Sequence, residues 1–245
     1  MIIGFCKNCK SRFRKRETKY LFCSLKCANG YNKNGLNYVR LPKHNCNLAE
    51  FIGICLGDGH ASKYQVTVSL NSIADKNYIT YVVKLAADLF PGSTMSVVER
   101  KNYNMVDIKV NSVIVTKFMK KNGVISNNKF IPKWIFKKSV YVKSCLRGLF
   151  DTEGSISFKT YKSKSGISLY KQLNFRNFNV GLMIFVRDNL LNLGFNPTKT
   201  LKGSLYLSNH QSINNFRKLI DFSNPKLSRR SLIETYKDFQ EFTLN

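Results

Sequence analysis

Two segments of the sequence each place a carboxylate directly before a glycine at the end of an apolar stretch. Residues 51–59 read FIGICLGDG and residues 146–154 read LRGLFDTEG. When the two are aligned, both carry glycine at the third place, an acid at the eighth and glycine at the ninth. Both segments are predicted to be helices. Asp58 and Glu153 therefore fall at the carboxyl ends of two helices.

The small residues of these segments indicate that the two helices touch. Gly53 and Gly57 leave one helical face without side chains, and Gly148 and Thr152 do nearly the same in the second copy, which allows close approach of the backbones. We expect Gly59 and Gly154 to end the helices in the left-handed conformation.

Two carboxylates converging at helix carboxyl ends are unfavourable, because the helix dipole repels an anion there and the acids repel each other. A divalent cation bound between hard oxygen ligands would remove both penalties. The alternative is a pair of separate, solvated surface residues. That alternative is strong for one copy but weak for two copies at matched places.

The charge of the chain favours a nucleic-acid partner. Forty Lys and Arg against 14 Asp and Glu give a net charge of +26, and the basic residues are spread along the whole chain. A polyanionic partner offsets such self-repulsion. A ribosomal protein is one alternative; membrane-surface binding is disfavoured because no amphipathic helix gathers the lysines. No stretch is apolar enough to span a bilayer and the start does not resemble a signal peptide, so an intracellular location is expected.

The order of predicted elements repeats with a period of about 95 residues. The pattern αββαββα occurs twice, which predicts an α+β fold of two pseudo-symmetric repeats. We assign residues 1–45 to a cysteine-rich module and linker, 46–125 to the first repeat, and 126–245 to an inter-repeat linker, the second repeat and a C-terminal helix. The predicted strands are 64–70, 94–100, 104–110, 155–161 and 168–177, with a hairpin at Lys202-Gly203. The predicted helices are 48–56, 75–89, 140–152, 180–193 and 226–241, with a short one that ends near Asn122-Gly123 and another after the hairpin. The apolar joint at 131–136 is expected to pack.

The two acid-bearing segments resemble the LAGLIDADG motifs of the homing endonuclease family, and residues 131–134 (Ile-Pro-Lys-Trp) resemble the lead-in to its second motif. The resemblance extends over residues 47–240. The first motif departs from the family pattern at Leu56, where an acid is common, and at Gly57, where alanine is common; neither change touches the carboxylate.

The resemblance implies a saddle of two four-stranded antiparallel sheets astride duplex DNA. It implies hydrolysis of both strands with Mg²⁺ or Mn²⁺, leaving short 3′ overhangs. Asp58 and Glu153 would then be catalytic metal ligands, with the backbone carbonyls of Gly57 and Thr152 as further ligands. Basic or amide residues near the acids would stabilise the phosphate transition state, and the candidates are Lys109 and Asn71 in the first half and Asn177 and Arg176 in the second. For a single lysine of so basic a chain, a phosphate contact or a solvated charge remains the stronger alternative.

The polar faces of the predicted strands carry side chains suited to base edges and phosphates. The candidates for DNA contact are Gln65, Thr67, Ser69, Asn71, Lys109, Ser155, Ser157, Lys159, Gln172, Asn174, Arg176 and Tyr206, with Asp107, Tyr161, Ser204 and Ser208 on the same faces. The alternative is an ordinary solvated sheet face. Two different halves in one chain predict a monomer that reads an asymmetric site.

Four cysteines near the amino terminus have the spacing of a zinc site. Cys6 and Cys9 form one pair and Cys23 and Cys27 the other, and four thiolates at such spacing suit one tetrahedral Zn²⁺. Basic residues lie between the pairs, as in a nucleic-acid-binding finger: Arg12, Arg14, Lys15, Arg16 and Lys19. Free thiols in a disordered tail are the alternative. The remaining cysteines, Cys46, Cys55 and Cys145, are expected to be packing residues.

These observations favour a site-specific double-strand DNA endonuclease. An intron maturase or a DNA-binding regulator on the same scaffold, without cleavage, is the alternative, and the presence of both acids speaks for cutting. An intein is disfavoured because the sequence neither opens on a splicing nucleophile nor ends in His-Asn.

Overall fold

The structure is a computed structural model that describes residues 2–15, 17, 20–28, 39–126, 128–164, 166–199 and 203–244. Arg16, Lys19, the loop predicted at 32–37 and Lys202 lie outside these residues. None of the helices in the described ranges is long and apolar enough to cross a membrane.

The N-terminal module contains a short antiparallel hairpin of β1 (Ile2–Phe5) and β2 (Arg12–Lys15). The first repeat then consists of α1 (Cys46–Asp58), β3 (Gly59–Ala61), β4 (Gln65–Asn71), α2 (Lys76–Leu89), β5 (Thr94–Arg100), β6 (Met105–Asn111) and α3 (Val113–Lys121). The second consists of α4 (Ser139–Glu153), β7 (Gly154–Ser163), β8 (Gly166–Arg176), α5 (Val180–Asn192), β9 (Thr198–Lys199), β10 (Ser204–Ser208) and α6 (His210–Leu219). Two further helices follow, α7 (Pro225–Ser231) and α8 (Tyr236–Leu244).

Each repeat builds one antiparallel sheet of four strands, with the same strand order in both. The first sheet has the order β3-β4-β6-β5 and the second the order β7-β8-β10-β9. The predicted α+β fold with two pseudo-symmetric αββαββα repeats is therefore confirmed. Strand lengths differ between the sheets, since β3 has 3 residues and its counterpart β7 has 10.

Alternation along the strands places one face of each sheet in the core. The apolar side chains that alternate with the polar ones are buried, except for the half-buried Phe158: Val66, Val68, Val106, Ile108, Ile156, Leu173, Phe175, Leu205 and Leu207. Helix α1 begins at Asn45, whose side chain accepts a hydrogen bond from the Leu48 amide at 2.8 Å. Every residue from Leu48 to Leu56 is buried, which explains why this helix is apolar on all sides.

The joint between the repeats packs as predicted. Residues Lys133–Lys137 form a 3₁₀ turn in which Trp134 and Ile135 are buried. The Trp134 indole donates a hydrogen bond to the Asn122 side chain at 2.7 Å. A second contact between the repeats joins Arg147 of α4 to the buried Glu50 of α1 at 3.3 Å. Both the joint and an ion pair between the two helices thus hold the repeats together.

Four sequence predictions of local structure were wrong or incomplete. The short strand β3 was missed because its three residues, Gly-His-Ala, are too few to show an alternating pattern. The predicted C-terminal helix is broken between Ser231 and Tyr236, where the Asp238 carboxylate accepts hydrogen bonds from the amides of Glu234 and Thr235 and the Thr235 hydroxyl accepts one from the Asp238 amide. This reciprocal capping starts a new helix.

The other two predictions concern the conformation of the helix-ending glycines, Gly59 and Gly154, and the burial of Cys46. Both glycines are extended, with φ of −113° and −86°. They are needed for space, because an added Cβ would lie 2.6 Å from Cys55 Cα in the first case and 2.2 Å from the Phe150 carbonyl oxygen in the second. Cys46 is exposed at the first position of α1, whereas Cys55 and Cys145 are buried as predicted.

Candidate active site and nucleic-acid interface

Helices α1 and α4 touch through their glycines. A Cβ added to Gly53 would lie 2.3 Å from the Cys145 carbonyl oxygen, and one added to Gly148 would lie 2.2 Å from the Glu50 carbonyl oxygen. Nearer the carboxyl ends, a Cβ on Gly57 would lie 2.1 Å from the Thr152 hydroxyl. Each helix therefore occupies the volume that a side chain of its partner would need, and the predicted close contact is confirmed.

The contact brings the two acids to one end of the helix pair. Asp58 is the last residue of α1 and Glu153 the last of α4. Glu153 is half-buried, and its carboxylate accepts a hydrogen bond from the Asn177 amide at 2.8 Å. Burial raises the pKa of Glu153, and the Asn177 bond and the charge of Lys129 oppose that rise.

Asp58 has different surroundings. It retains exposed surface, but the nearby protein displaces enough water to raise its pKa to about 7, and the negative charges of Glu153 and Asp75 act in the same direction. Lys129 and Lys226 oppose the shift. Among the described residues, no hydrogen bond holds the Asp58 carboxylate. Mutual repulsion of the acids was expected from the sequence, and its effect on Asp58 is present in the structure.

Lys129 is a site residue that the sequence did not reveal. Its ammonium donates hydrogen bonds to the carbonyl oxygens of Leu56 and Gly57, both at 2.9 Å, at the carboxyl end of α1. Burial lowers its pKa, while the charges of Glu153 and Asp58 are among those that raise it. Its place two residues before the Ile-Pro-Lys-Trp joint is the only sequence signal, and 40 basic residues hide it.

A cleft of about 590 Å³ opens beside Glu153. It brings together several of the residues predicted for the active site, and its polar lining comprises Gly57, Lys129, Thr152, Glu153, Arg176 and Asn177. The Asn177 side chain also accepts a hydrogen bond from the Asn179 amide, and the Asn179 side chain donates one to the Lys129 carbonyl, both at 2.8 Å. A continuous chain of hydrogen bonds thus ties the segment that carries Lys129 to the Glu153 carboxylate.

The structure does not bring Lys109 and Asn71 into contact with either acid. The Lys109 ammonium lies 3.8 Å from the carboxylate of Asp107. The Asn71 side chain accepts hydrogen bonds from the amides of Ile73 and Ala74, at 3.0 and 2.8 Å, and so shapes the turn after β4. No ion pair or hydrogen bond within the described ranges links Lys109 or Asn71 to Asp58 or Glu153.

The predicted polar faces of the sheets exist, with two corrections in the first sheet. Thr67 is 1% exposed and Asp107 is fully buried. The short Thr67 side chain lies in a row across the sheet, between His60 on β3 and Lys109 on β6. Asp107 is covered because Arg100 and Ser69 donate hydrogen bonds to it. The exposed His60 and the Arg100 pair were missed, since β3 was not predicted and the Arg100 partner lies on another strand.

The remaining candidates of the faces have at least part of their surface free. Ser155, Lys159, Tyr161, Arg176 and Asn71 are exposed; Gln65, Ser69, Lys109, Ser157, Gln172, Asn174, Ser204, Tyr206 and Ser208 are half-buried. In the second sheet Ser155, Asn174 and Tyr206 form one row across three strands. The Asn174 amide also donates a hydrogen bond to the Ser157 hydroxyl at 3.0 Å. This sheet therefore presents a contiguous face of hydroxyl, amide and phenol groups.

The four N-terminal cysteines converge on one point. The sulfur atoms of Cys6, Cys9, Cys23 and Cys27 all lie within 4.8 Å of one another. The Cys9 and Cys23 sulfurs are 3.6 Å apart, beyond the S–S bond length of about 2.05 Å. Burial opposes ionisation of Cys6, but backbone hydrogen bonds, those of Cys9 and Cys23 first, outweigh it and bring its pKa down to about 6. Arg12 and Arg14 are exposed on β2 beside this cluster.

No protein-family model and no curated protein matches the sequence. Solved structures do match. A variant of I-DmoI in complex with its target DNA and in the presence of Mn aligns over 74% of this chain and 97% of its own, with a TM-score of 0.52 and 19% identity. The I-LtrWI LAGLIDADG homing endonuclease bound to target DNA aligns over 82% of this chain and 90% of its own, with a TM-score of 0.51 and 12% identity. A weaker match is full-length DUF199/WhiA from Thermatoga maritima, with a TM-score of 0.49, 17% identity and coverage of 84% of this chain and 68% of that one. The fold of this chain is the LAGLIDADG homing endonuclease fold.

Proposed function

We propose that this chain is a site-specific double-strand DNA endonuclease. It acts as a monomer on a long asymmetric site, hydrolysing one phosphodiester bond in each strand with Mg²⁺. The observation that carries the proposal is the cleft in which Glu153, the Gly57 carbonyl, Lys129 and Asn177 meet.

The donor set at the helix ends fits a divalent cation. Glu153 supplies a carboxylate beside the Gly57 carbonyl of the other helix. By the pseudo-symmetry of the repeats, Asp58 with the Thr152 carbonyl would be the matching pair. All of these donors are hard oxygens, the ligands that Mg²⁺ prefers. Burial raises the pKa values of both acids, and a bound cation would offset that cost of ionisation. When bound, the cation would polarise the phosphoryl oxygens and activate water.

The side chains around the acids would orient the scissile phosphate. Lys129 carries a positive charge at the floor of the cleft, where it would bind a phosphate oxygen and stabilise charge that develops in the transition state. Asn177 holds the Glu153 carboxylate in one orientation. Arg176, exposed at the cleft's edge and stacked on Phe178 at 5.3 Å, would bind a flanking phosphate.

The sheets would bind the duplex on either side of this cleft. The net charge of +26 supplies the phosphate affinity. The polar sheet faces supply groups for base edges: Gln65, Ser69, Lys109, Ser155, Ser157, Lys159, Gln172, Asn174, Arg176 and Tyr206. Relatives of the fold bound to target DNA are consistent with this use of the sheets. We retain residues 46–125 and 126–245 as the two DNA-binding halves and 1–45 as an accessory module.

Zn²⁺ bound by Cys6, Cys9, Cys23 and Cys27 would fold the accessory module. Four converging thiols that form no disulfide match the donor set of a structural zinc site. Purified protein should carry one zinc per chain by atomic emission. Cys9→Ser should lose it, whereas Cys46→Ser, which removes an exposed thiol outside the cluster, should retain it. Zinc-free wild-type protein would refute the site.

Cleavage of a plasmid library of candidate sites tests the main proposal. Wild-type protein with Mg²⁺ should linearise a subset of plasmids, and the reaction should stop with EDTA. Glu153→Gln should bind the selected site and fail to linearise it. Tight, site-specific binding by wild type without any cut would refute the nuclease and favour the maturase or regulator.

A further inference from the structure

Lys129 and Lys226 occupy corresponding places in the two repeats. Each lies in the segment that follows the last helix of its repeat. Lys129 follows α3, and Lys226 follows α6 at the start of α7. Both charges act on Asp58. The pseudo-symmetry predicts that Lys226 contacts the end of α4 as Lys129 contacts the end of α1.

The contacts of the two lysines differ. Lys129 donates to the carbonyl oxygens of Leu56 and Gly57. Their counterparts in the aligned motif are Asp151 and Thr152, and among the described residues Lys226 bonds to neither carbonyl. Its ammonium instead lies 2.9 Å from the Asp75 carboxylate. The Asp151 carbonyl accepts a hydrogen bond from the Asn224 amide at 3.1 Å.

One difference in sequence between the repeats explains the different contacts: the second repeat has an asparagine where the first has an aspartate. Asn179 precedes α5 and Asp75 precedes α2, so the two residues are structural counterparts. The Asn179 side chain caps its helix by accepting from the Leu182 amide, and it donates to the Lys129 backbone carbonyl. A carboxylate cannot donate. Asp75 makes no capping bond and instead accepts from Lys226 and from the Asn224 side chain, at 2.9 and 3.0 Å.

We propose that Asp75 is a positioning residue that holds Lys226 back from the end of α4 and so makes the two half-sites unequal. The Glu153 half-site, with Lys129 in place, cuts its strand first. The Asp58 half-site cuts second, after Lys226 has left Asp75, and a nicked duplex accumulates between the two cuts. This inference rests on the proposed nuclease function.

Asp75→Asn is the sharpest variant. The Asn side-chain oxygen can still accept from Asn224, and asparagine is a good N-cap, so the fold should be retained. Only the charge that holds Lys226 is lost. Asp88→Asn is the matched control, because Asp88 is an exposed acid on the same helix and its loss changes the net charge equally.

The experiment follows a supercoiled plasmid carrying one selected site through its nicked and linear forms, with each strand end-labelled. Asp58→Asn identifies the strand cut by the Glu153 half-site, since only that half-site keeps its acid. Wild type should nick this strand first and accumulate the nicked form. Asp75→Asn should speed the second cut at least about threefold, and Asp88→Asn should not change the strand ratio.

Lys226 supplies an independent test. Lys226→Met should slow the second cut about tenfold or more and leave the first unchanged, and Lys226→Arg should restore part of the loss. DNA affinity measured in Ca²⁺ should stay similar in Asp75→Asn and Asp88→Asn, because a purely structural effect would alter it.

Equal cutting of both strands by wild type, or a slower second cut in Asp75→Asn, would overturn this inference and leave the nuclease proposal standing. A wild-type protein that binds without cutting would overturn both.

Discussion

The carboxyl ends of α1 and α4 share a backbone arrangement but differ in their side chains. At both ends an acid precedes an extended glycine, and glycine contacts hold the helices together. Glu153 is half-buried and bonded to Asn177 beside Lys129, whereas Asp58 is exposed and is influenced by the charges of Lys226 and of the additional acid Asp75. The contact between the backbones of α1 and α4 involves both repeats, so a change in either helix affects both. Side chains around the acids can diverge independently, because no symmetry operator copies a change from one half to the other.

Removing one acid at a time should give the largest effect and the clearest test of this comparison. Glu153→Gln and Asp58→Asn should each lower double-strand cleavage by about 1,000-fold or more, because each removes the charge expected to hold a cation at one scissile phosphate. Strand-specific labelling should show a nick in opposite strands for the two variants. Nicks in the same strand would contradict one acid for each strand.

Alanine at the contact glycines should be nearly as damaging, and equally so in both helices. Gly53→Ala and Gly148→Ala each place a Cβ against a backbone carbonyl at 2.3 and 2.2 Å. Because backbone cannot yield as a side chain can, we expect a loss of about 3 kcal/mol or more in the free energy of unfolding. Gly181→Ala is the control, because Gly181 is an exposed helical glycine where an added Cβ would approach the Asn179 side chain at 3.2 Å. It should change the free energy of unfolding by less than about 1 kcal/mol. Denaturant titration measures all three; tolerance of one contact variant would show that the helix contact is not symmetric.

Loss of the amide that holds Glu153 should have a moderate effect confined to one strand. Asn177→Ala leaves the carboxylate without its hydrogen bond, and we expect the cut at the Glu153 half-site to slow about tenfold. Asn71→Ala is the comparison in the first repeat. It removes a turn-forming side chain that does not contact an acid, so the ratio of the two strand rates should not change. A shift of that ratio by Asn71→Ala would restore Asn71 as an active-site residue.

The smallest expected effect is a pH dependence of stability caused by Asp58, measured in the absence of Mg²⁺. Asp58 has a pKa of about 7 in the fold against an ordinary value of 3.8, so the folded state binds its proton more tightly. The free energy of unfolding should therefore fall as pH rises from about 4 to about 7. The gain in melting temperature of Asp58→Asn over wild type should be larger at pH 8 than at pH 5, by about 2 °C. Asp88→Asn should show no such dependence, and a gain that is larger at pH 5 would contradict the raised pKa.

Local sequence patterns predicted much of this fold, because these patterns reflect contacts between residues close in sequence or a regular spacing of apolar residues. Alternation predicted which faces of β4, β6, β8 and β10 are buried, and the glycine spacing predicted that α1 and α4 touch. Prediction failed where a partner was distant or the segment short. Thr67 and Asp107 are covered by residues of other strands, and β3 is too short to show a pattern. The capping box of Thr235 and Asp238 is a local pattern that predicts the start of α8.

For the candidate site, the sequence determined which acids would meet, because Asp58 and Glu153 follow from the repeat and the helix ends alone. It also predicted the four cysteines as a group, since their spacing is local. Only the tertiary structure decided which of 40 basic residues would join the acids. Lys129 reaches the end of α1 through the packing of the joint, whereas Lys226, at the start of α7, forms an ion pair with Asp75. Such contacts join segments that are distant in sequence and leave no periodic pattern, so only the tertiary structure reveals them.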